Sequence, residues 1–104
     1  MDQSQVLKKA KEFAAEVIKI VQAKKVILYG SYSKGNPTQN SDIDIAVIVN
    51  EIEGDYLDNE AMLYKLRRRI DDRIEPILLE EVSDDSGFLE EVLKHGIILF
   101  DSKK

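Results

Sequence analysis

Apolar residues recur at Val6, Ala10, Phe13, Val17 and Val21, with Leu7, Ala14 and Ile18 beside them. Lys8, Lys9, Lys11, Glu12, Glu16 and Lys19 fill the wet side of the same turns. Spacings of three and four gather the apolar set into one stripe, so residues from about 4 to 23 are expected to form an amphipathic helix. Asp2 or Ser4 suits its N-cap, and Lys24-Lys25 closes it where cations favour the C-terminal dipole. The period then changes. Val26-Ile27-Leu28-Tyr29 is a short, β-branched apolar run, expected as a buried strand ending at Gly30. Asp42-Ile43-Asp44-Ile45 opens a second strand running to Val49. Because side chains alternate along a strand, Asp42 and Asp44 share one face while Ile43 and Ile45 point into the core.

The polar stretch between these strands fits a short helical turn over 31–34, ended by Gly35-Asn36-Pro37. Beyond Val49, Glu51 to Asp55 reads as a loop, and a second helix is expected from about Tyr56 to Asp71, burying Leu63, Leu66 and Ile70. Arg67-Arg68-Arg69 reads as its solvated end. A third strand spans Arg73 to Leu79, with Pro76 marking an edge position or a break in the ladder. Ser83 to Ser86 offers caps for a last helix whose apolar face is Phe88, Leu89, Val92 and Leu93. His95 suits the dipole at that helix's end, Gly96 stops it, and Ile97 to Phe100 makes a final short strand. With no repeat, low-complexity segment or linker, the expectation is one domain over residues 1–104.

Composition narrows the class. The chain is 43% hydrophobic and 34% charged, the balance of a soluble globular domain rather than a disordered one. It has no cysteine, which removes disulfides and thiolate metal sites and fits a reducing cytoplasm. No apolar run approaches the roughly 20 residues of a membrane span, and the N-terminus lacks the layout of a secretory signal. A cytoplasmic location is expected, without membrane attachment. The net charge of −5 argues against a nucleic-acid partner, since gripping phosphates calls for a basic excess.

The candidate chemistry sits between the first two strands. Asp is disfavoured in strands, yet Asp42 and Asp44 stand at the mouth of a very hydrophobic one. Mg²⁺ takes oxygen ligands, usually one or two carboxylates completed by substrate phosphates, and two carboxylates on one face provide that. Gly30-Ser31 is suited to phosphate through backbone N–H groups at the start of a short helix, with the Ser31 hydroxyl as a further donor. Each feature alone has a plainer reading: two exposed strand carboxylates, and a turn. Their conjunction is the sharper signal, a Gly-Ser pair and a D-x-D separated by ten residues between two strands.

The stretch from Gly30-Ser31-Tyr32-Ser33-Lys34-Gly35 through Asp42-Ile43-Asp44 resembles the signature of the nucleotidyltransferase fold typified by DNA polymerase beta. The whole chain, through its ending Lys94 to Phe100, is similar to the minimal nucleotidyltransferases of bacteria and archaea. The resemblance implies an α+β fold, a small mixed β-sheet of about four strands with helices packed mainly on one face. It implies that Gly30 and Ser31 hold the triphosphate of ATP, and that Asp42 and Asp44 bind two Mg²⁺ ions. Glu75 falls where the family usually places a third, Asp carboxylate; its alternative reading is an outward-facing strand residue. Lys34 stands where relatives often carry Arg, facing either phosphate or water. Tyr29 reads as core, and Tyr32 is placed to cover a nucleotide.

The reaction implied is metal-dependent transfer of a nucleoside monophosphate, AMP from ATP, to a hydroxyl. Longer relatives add a domain for their acceptor. Minimal members pair with all-helical HEPN toxins, so the resemblance implies an antitoxin that modifies a HEPN partner. The alternative is a domain that keeps the fold but neutralises its partner by contact alone, a reading supported by Glu in place of the usual Asp.

Overall fold

A computed structural model describes residues 3–30, 42–81 and 87–103. The long apolar stripe forms helix α1 (Gln3–Ile20), which buries Val6, Ala10, Phe13, Ala14 and Val17. Ser4 lies inside its first turn rather than at the cap, and Asp2 is outside the described residues. Strand β1 (Lys25–Tyr29) follows, then β2 (Ile43–Val49), α2 (Tyr56–Arg67), β3 (Ile74–Glu80), α3 (Phe88–His95) and β4 (Ile97–Asp101). Helix α2 is shorter than its apolar pattern, because beyond Arg67 the backbone tightens. The N–H groups of Arg68, Arg69 and Ile70 each donate to the carbonyl three residues earlier.

The four strands form one mixed sheet in the order β3-β2-β1-β4. β1 runs antiparallel to both β2 and β4, while β2 and β3, joined through α2, are parallel. Pro76 therefore sits on an edge strand, where a missing backbone donor is tolerated.

Both faces of the sheet are apolar. On one, Val26, Leu28, Ile43, Ile45, Val47, Val49, Ile74 and Leu78 pack with α1 and with Leu63 of α2. On the other, Ile27, Ala46 and Ile48 pack with Leu89 and Val92 of α3, flanked by Tyr29, Ile77 and Leu79. Two helices thus cover one face and the short α3 the other, which explains why β2 reads as an almost unbroken apolar run. Ile18 and Leu93, which periodicity places beside the buried stripes, are exposed.

At the α3 end, the N-cap is Gly87, just past the expected Ser83–Ser86 run, which lies outside the described residues. α3 ends at Gly96, whose backbone is extended, and glycine is required there by packing: a Cβ would overlap Ile27 and lie 2.6 Å from the Val92 carbonyl oxygen. Among the described residues, no helix is long and apolar enough to cross a membrane.

Candidate active site

The side of the sheet that carries α3 also carries the acidic residues, displaced toward the entry of β2. Ile43 and Ile45 are fully buried on the opposite face, as strand alternation requires, and Asp44 between them is half-buried. Asp42, two residues ahead of Asp44, is exposed where β2 begins. The parallel register aligns Asp44 with Glu75 and Ile43 with Ile74. Neighbouring strands lie ~4.8 Å apart, so the α2 crossover brings a carboxylate distant in sequence beside Asp44. Residues 42 and 44 are tied by strand periodicity; residue 75 joins them only through tertiary register.

Gly30 closes the other side. It follows Tyr29, whose register partner on β2 is Asp44. Its φ is +76°, in the left-handed region that favours glycine. A Cβ at this position would overlap the Asp44 Oδ2 and lie 3.1 Å from Cγ. The absence of a side chain is therefore what lets the backbone at Gly30 lie against the carboxylate. Ser31, Tyr32 and Lys34, the rest of the expected nucleotide grip, lie outside the described residues.

The carboxylates here repel one another. Burial holds the Asp44 carboxyl above its usual value, and the Asp42 and Glu75 carboxylates push it further. Burial also drives the Tyr29 hydroxyl up to about 12, with Asp44, Tyr64 and Glu75 adding to the shift. Tyr29 therefore stays neutral beside Asp44, its ring packed edge-on against Phe88 with centroids 5.6 Å apart. An anionic cluster of this kind is relieved by a proton or by a cation. All-oxygen donors suit a hard divalent ion such as Mg²⁺, and Asp42 with Asp44 fit that chemistry.

Glu75 is less free than its register position suggests. The Tyr64 hydroxyl donates to Glu75 Oε2 at 3.0 Å. Arg67 Nη1 donates to Oε1 at 3.5 Å and to the Ile74 carbonyl at 2.9 Å. The Arg67 guanidinium also lies 4.7 Å from the centre of the Tyr64 ring. Among the described residues, no three Asp, Glu or His side chains gather into a group that could hold a metal ion.

Arg67 is thus engaged at the β3 edge, while Arg68 and Arg69 are the exposed helix end expected of the whole run. The signal in the sequence was the i, i+3 spacing of Tyr64 and Arg67, which shares a helix face. Nothing in it pointed to β3. His95 is exposed and 3.6 Å from Glu91, a surface pair on α3.

Comparison with known proteins bears on the family and the fold. Residues 8–104 match the family model described as "Polymerase beta, Nucleotidyltransferase". A Methanocaldococcus jannaschii protein named "Putative protein adenylyltransferase" is 30% identical over 99 residues, 89% of this chain and 97% of that protein. A second protein of the same name and organism is 35% identical over 79 residues, covering 74% and 78% of the two chains. Among solved structures, a nucleotidyltransferase from Sulfolobus solfataricus superposes with a TM-score of 0.75 at 28% identity, covering 98% of this chain and 86% of that one. A toxin–antitoxin complex with AMP-PNP shares the fold, with a TM-score of 0.61 and 24% identity over 99% of this chain and 76% of that one. So does the complex of a tri-AMPylated Shewanella oneidensis HEPN toxin with its MNT antitoxin, with a TM-score of 0.56 and 22% identity over 90% and 74%.

Proposed function

Given that the chain belongs to the polymerase beta nucleotidyltransferase family, we propose that it is a Mg²⁺-dependent protein adenylyltransferase, moving AMP from ATP to a hydroxyl on a HEPN-type partner and so acting as an antitoxin. The observation that carries this reading is the pairing of Asp44 with Glu75 across parallel strands, with the Asp42 carboxylate near enough to raise the Asp44 carboxyl and Gly30 packed against Asp44. The related proteins named for protein adenylylation support the choice of a protein acceptor. The AMP-PNP complex supports an adenine nucleotide, and the complex with an AMPylated HEPN toxin supports the partner.

In this reading the acceptor oxygen bonds to the α-phosphorus, the bond from that phosphorus to the bridging oxygen of the β-phosphate breaks, and pyrophosphate leaves. The hydroxyl proton passes to solvent. Two divalent ions, when bound, would supply charge neutralisation at the attacking and leaving oxygens. Asp42 and Asp44 would hold them, with Glu75 as third carboxylate. Gly30 leaves room for the Asp44 carboxylate, and Ser31 and Lys34 are assigned to the triphosphate. The acidic surface, net −5, suits a protein acceptor better than a nucleic acid.

One observation favours a second reading, an antitoxin that acts by contact: both Glu75 oxygens already have partners on α2. The two separate in one experiment, incubating the chain with labelled ATP, Mg²⁺ and a HEPN-type protein from the same genome. The expected result is label on the partner, lost by at least about 100-fold in Asp42→Ala and Asp44→Ala. Neutralisation by those variants, with no transfer by the parent chain, overturns catalysis in favour of contact.

A further inference from the structure

We infer that Tyr64 and Arg67 form a latch that keeps the Glu75 carboxylate turned toward α2, so that a divalent cation is seated on all three carboxylates only when the latch opens. This rests on the reading of Asp42 and Asp44 as cation ligands with Glu75 as the third, and concerns what governs that third ligand.

The backbone needs no movement. Asp44 and Glu75 are register partners on adjacent strands, so the distance between their carboxylates is set by side-chain rotation. In the structure that rotation favours α2: one Glu75 oxygen accepts from the Tyr64 hydroxyl at 3.0 Å and the other from Arg67 at 3.5 Å. Arg67 is itself anchored, by its 2.9 Å bond to the Ile74 carbonyl and by stacking 4.7 Å from the Tyr64 ring centre. It therefore cannot follow Glu75 if the carboxylate swings. Glu75 remains 40% exposed at its side chain, so water-side space for the swing exists.

Glutamate has one more methylene than aspartate, and that length allows one residue to reach two sites, the α2 pair and the Asp42–Asp44 pair. Tyr64 and Arg67 are on this account positioning residues. They act through Glu75, and they set how readily the third carboxylate becomes available.

The test uses the full chain and Mn²⁺ alone, with free Mn²⁺ read from its paramagnetic resonance signal and folding checked by thermal unfolding. Tyr64→Phe removes the hydroxyl without changing charge or ring stacking. It is expected to tighten Mn²⁺ binding about three- to tenfold, the range of one hydrogen bond to a charged group partly open to water. Glu75→Gln is expected to weaken binding, and Tyr64→Phe added to it to change nothing further. Arg67→Gln is expected to tighten binding in the parent chain by more than it does in the Glu75→Gln background.

Unchanged or weaker binding in Tyr64→Phe overturns the latch, as does tightening that persists without the Glu75 carboxylate. If Glu75→Gln leaves Mn²⁺ affinity untouched while Asp44→Asn abolishes it, the latch falls and the active-site reading stands. If Asp42→Asn and Asp44→Asn also leave Mn²⁺ affinity untouched, the active-site reading itself falls.

Discussion

Gly30 shows how a single residue can be required twice. Its positive φ costs an L side chain about 1–2 kcal/mol, and the space a Cβ would occupy is filled by the Asp44 carboxylate. Relaxing the backbone does not remove the overlap, because Tyr29 just before it is paired in register with Asp44. Gly30→Ala is therefore expected to lower stability by about 2 kcal/mol, adding the displacement of Asp44 to the backbone term. Nucleotide transfer should fall by more than that loss of folded protein accounts for. Urea unfolding beside labelled-ATP transfer, with both assays on the same preparation, checks the two effects. A substitution that merely destabilised would leave the activity of the folded fraction intact.

At the scale of elements, the crossover from α2 into β3 determines where Glu75 lies. Its turn is closed by Asp71, whose Oδ1 accepts the Arg73 backbone N–H at 2.8 Å while both carboxylate oxygens meet the Arg73 guanidinium at 3.3 Å. Burial pushes the Asp71 carboxyl up, but the hydrogen bonds and charge of Arg73 outweigh it and hold the group below its ordinary value. A depressed carboxyl binds its proton less readily folded than unfolded. Its stabilisation is therefore present above the ordinary carboxylate value and is lost as pH falls through the lowered one.

Asp71→Asn should accordingly cost about 1 kcal/mol at neutral pH, with the difference from the parent chain shrinking as the solution is acidified. Denaturant midpoints measured from pH 7 downward read both signs. A difference that grew on acidification would refute the assignment. Helix α2 ends before this turn because its last N–H groups bond three residues back, a local tightening that the apolar pattern through Ile70 does not register.

On the scale of the molecule, the acidic cluster depends on a sheet covered from both sides. α1 lies against β2, β4 and α2, and α3 lies against β1 on the other face. Phe13 is fully buried in the larger of the two cores. Phe13→Ala is expected to cost about 3–5 kcal/mol. The loss should be global: circular dichroism of the helices and tyrosine fluorescence should move together to a lower midpoint, as a single cooperative transition requires. Separate transitions by the two probes would mean that the helical layer and the sheet unfold independently.

The amino-acid order alone determined the elements and part of the site. Apolar residues at helical spacing and short apolar runs bounded by turn residues marked three helices and four strands, because burying one face or both is the dominant free-energy term and leaves its imprint on the chain. Strand alternation linked Asp42 to Asp44 as candidates, and a spacing of ten residues linked both to the Gly30-Ser31 pair. What the tertiary structure decided is how distant segments meet. The parallel register of β2 and β3 put Glu75 opposite Asp44, and the approach of α2 to the β3 edge gave that carboxylate to Tyr64 and Arg67. Neither follows from local pattern, since contacts between segments depend on packing the whole sheet at once, and residues far apart in the chain carry no periodic mark of the neighbours they will have.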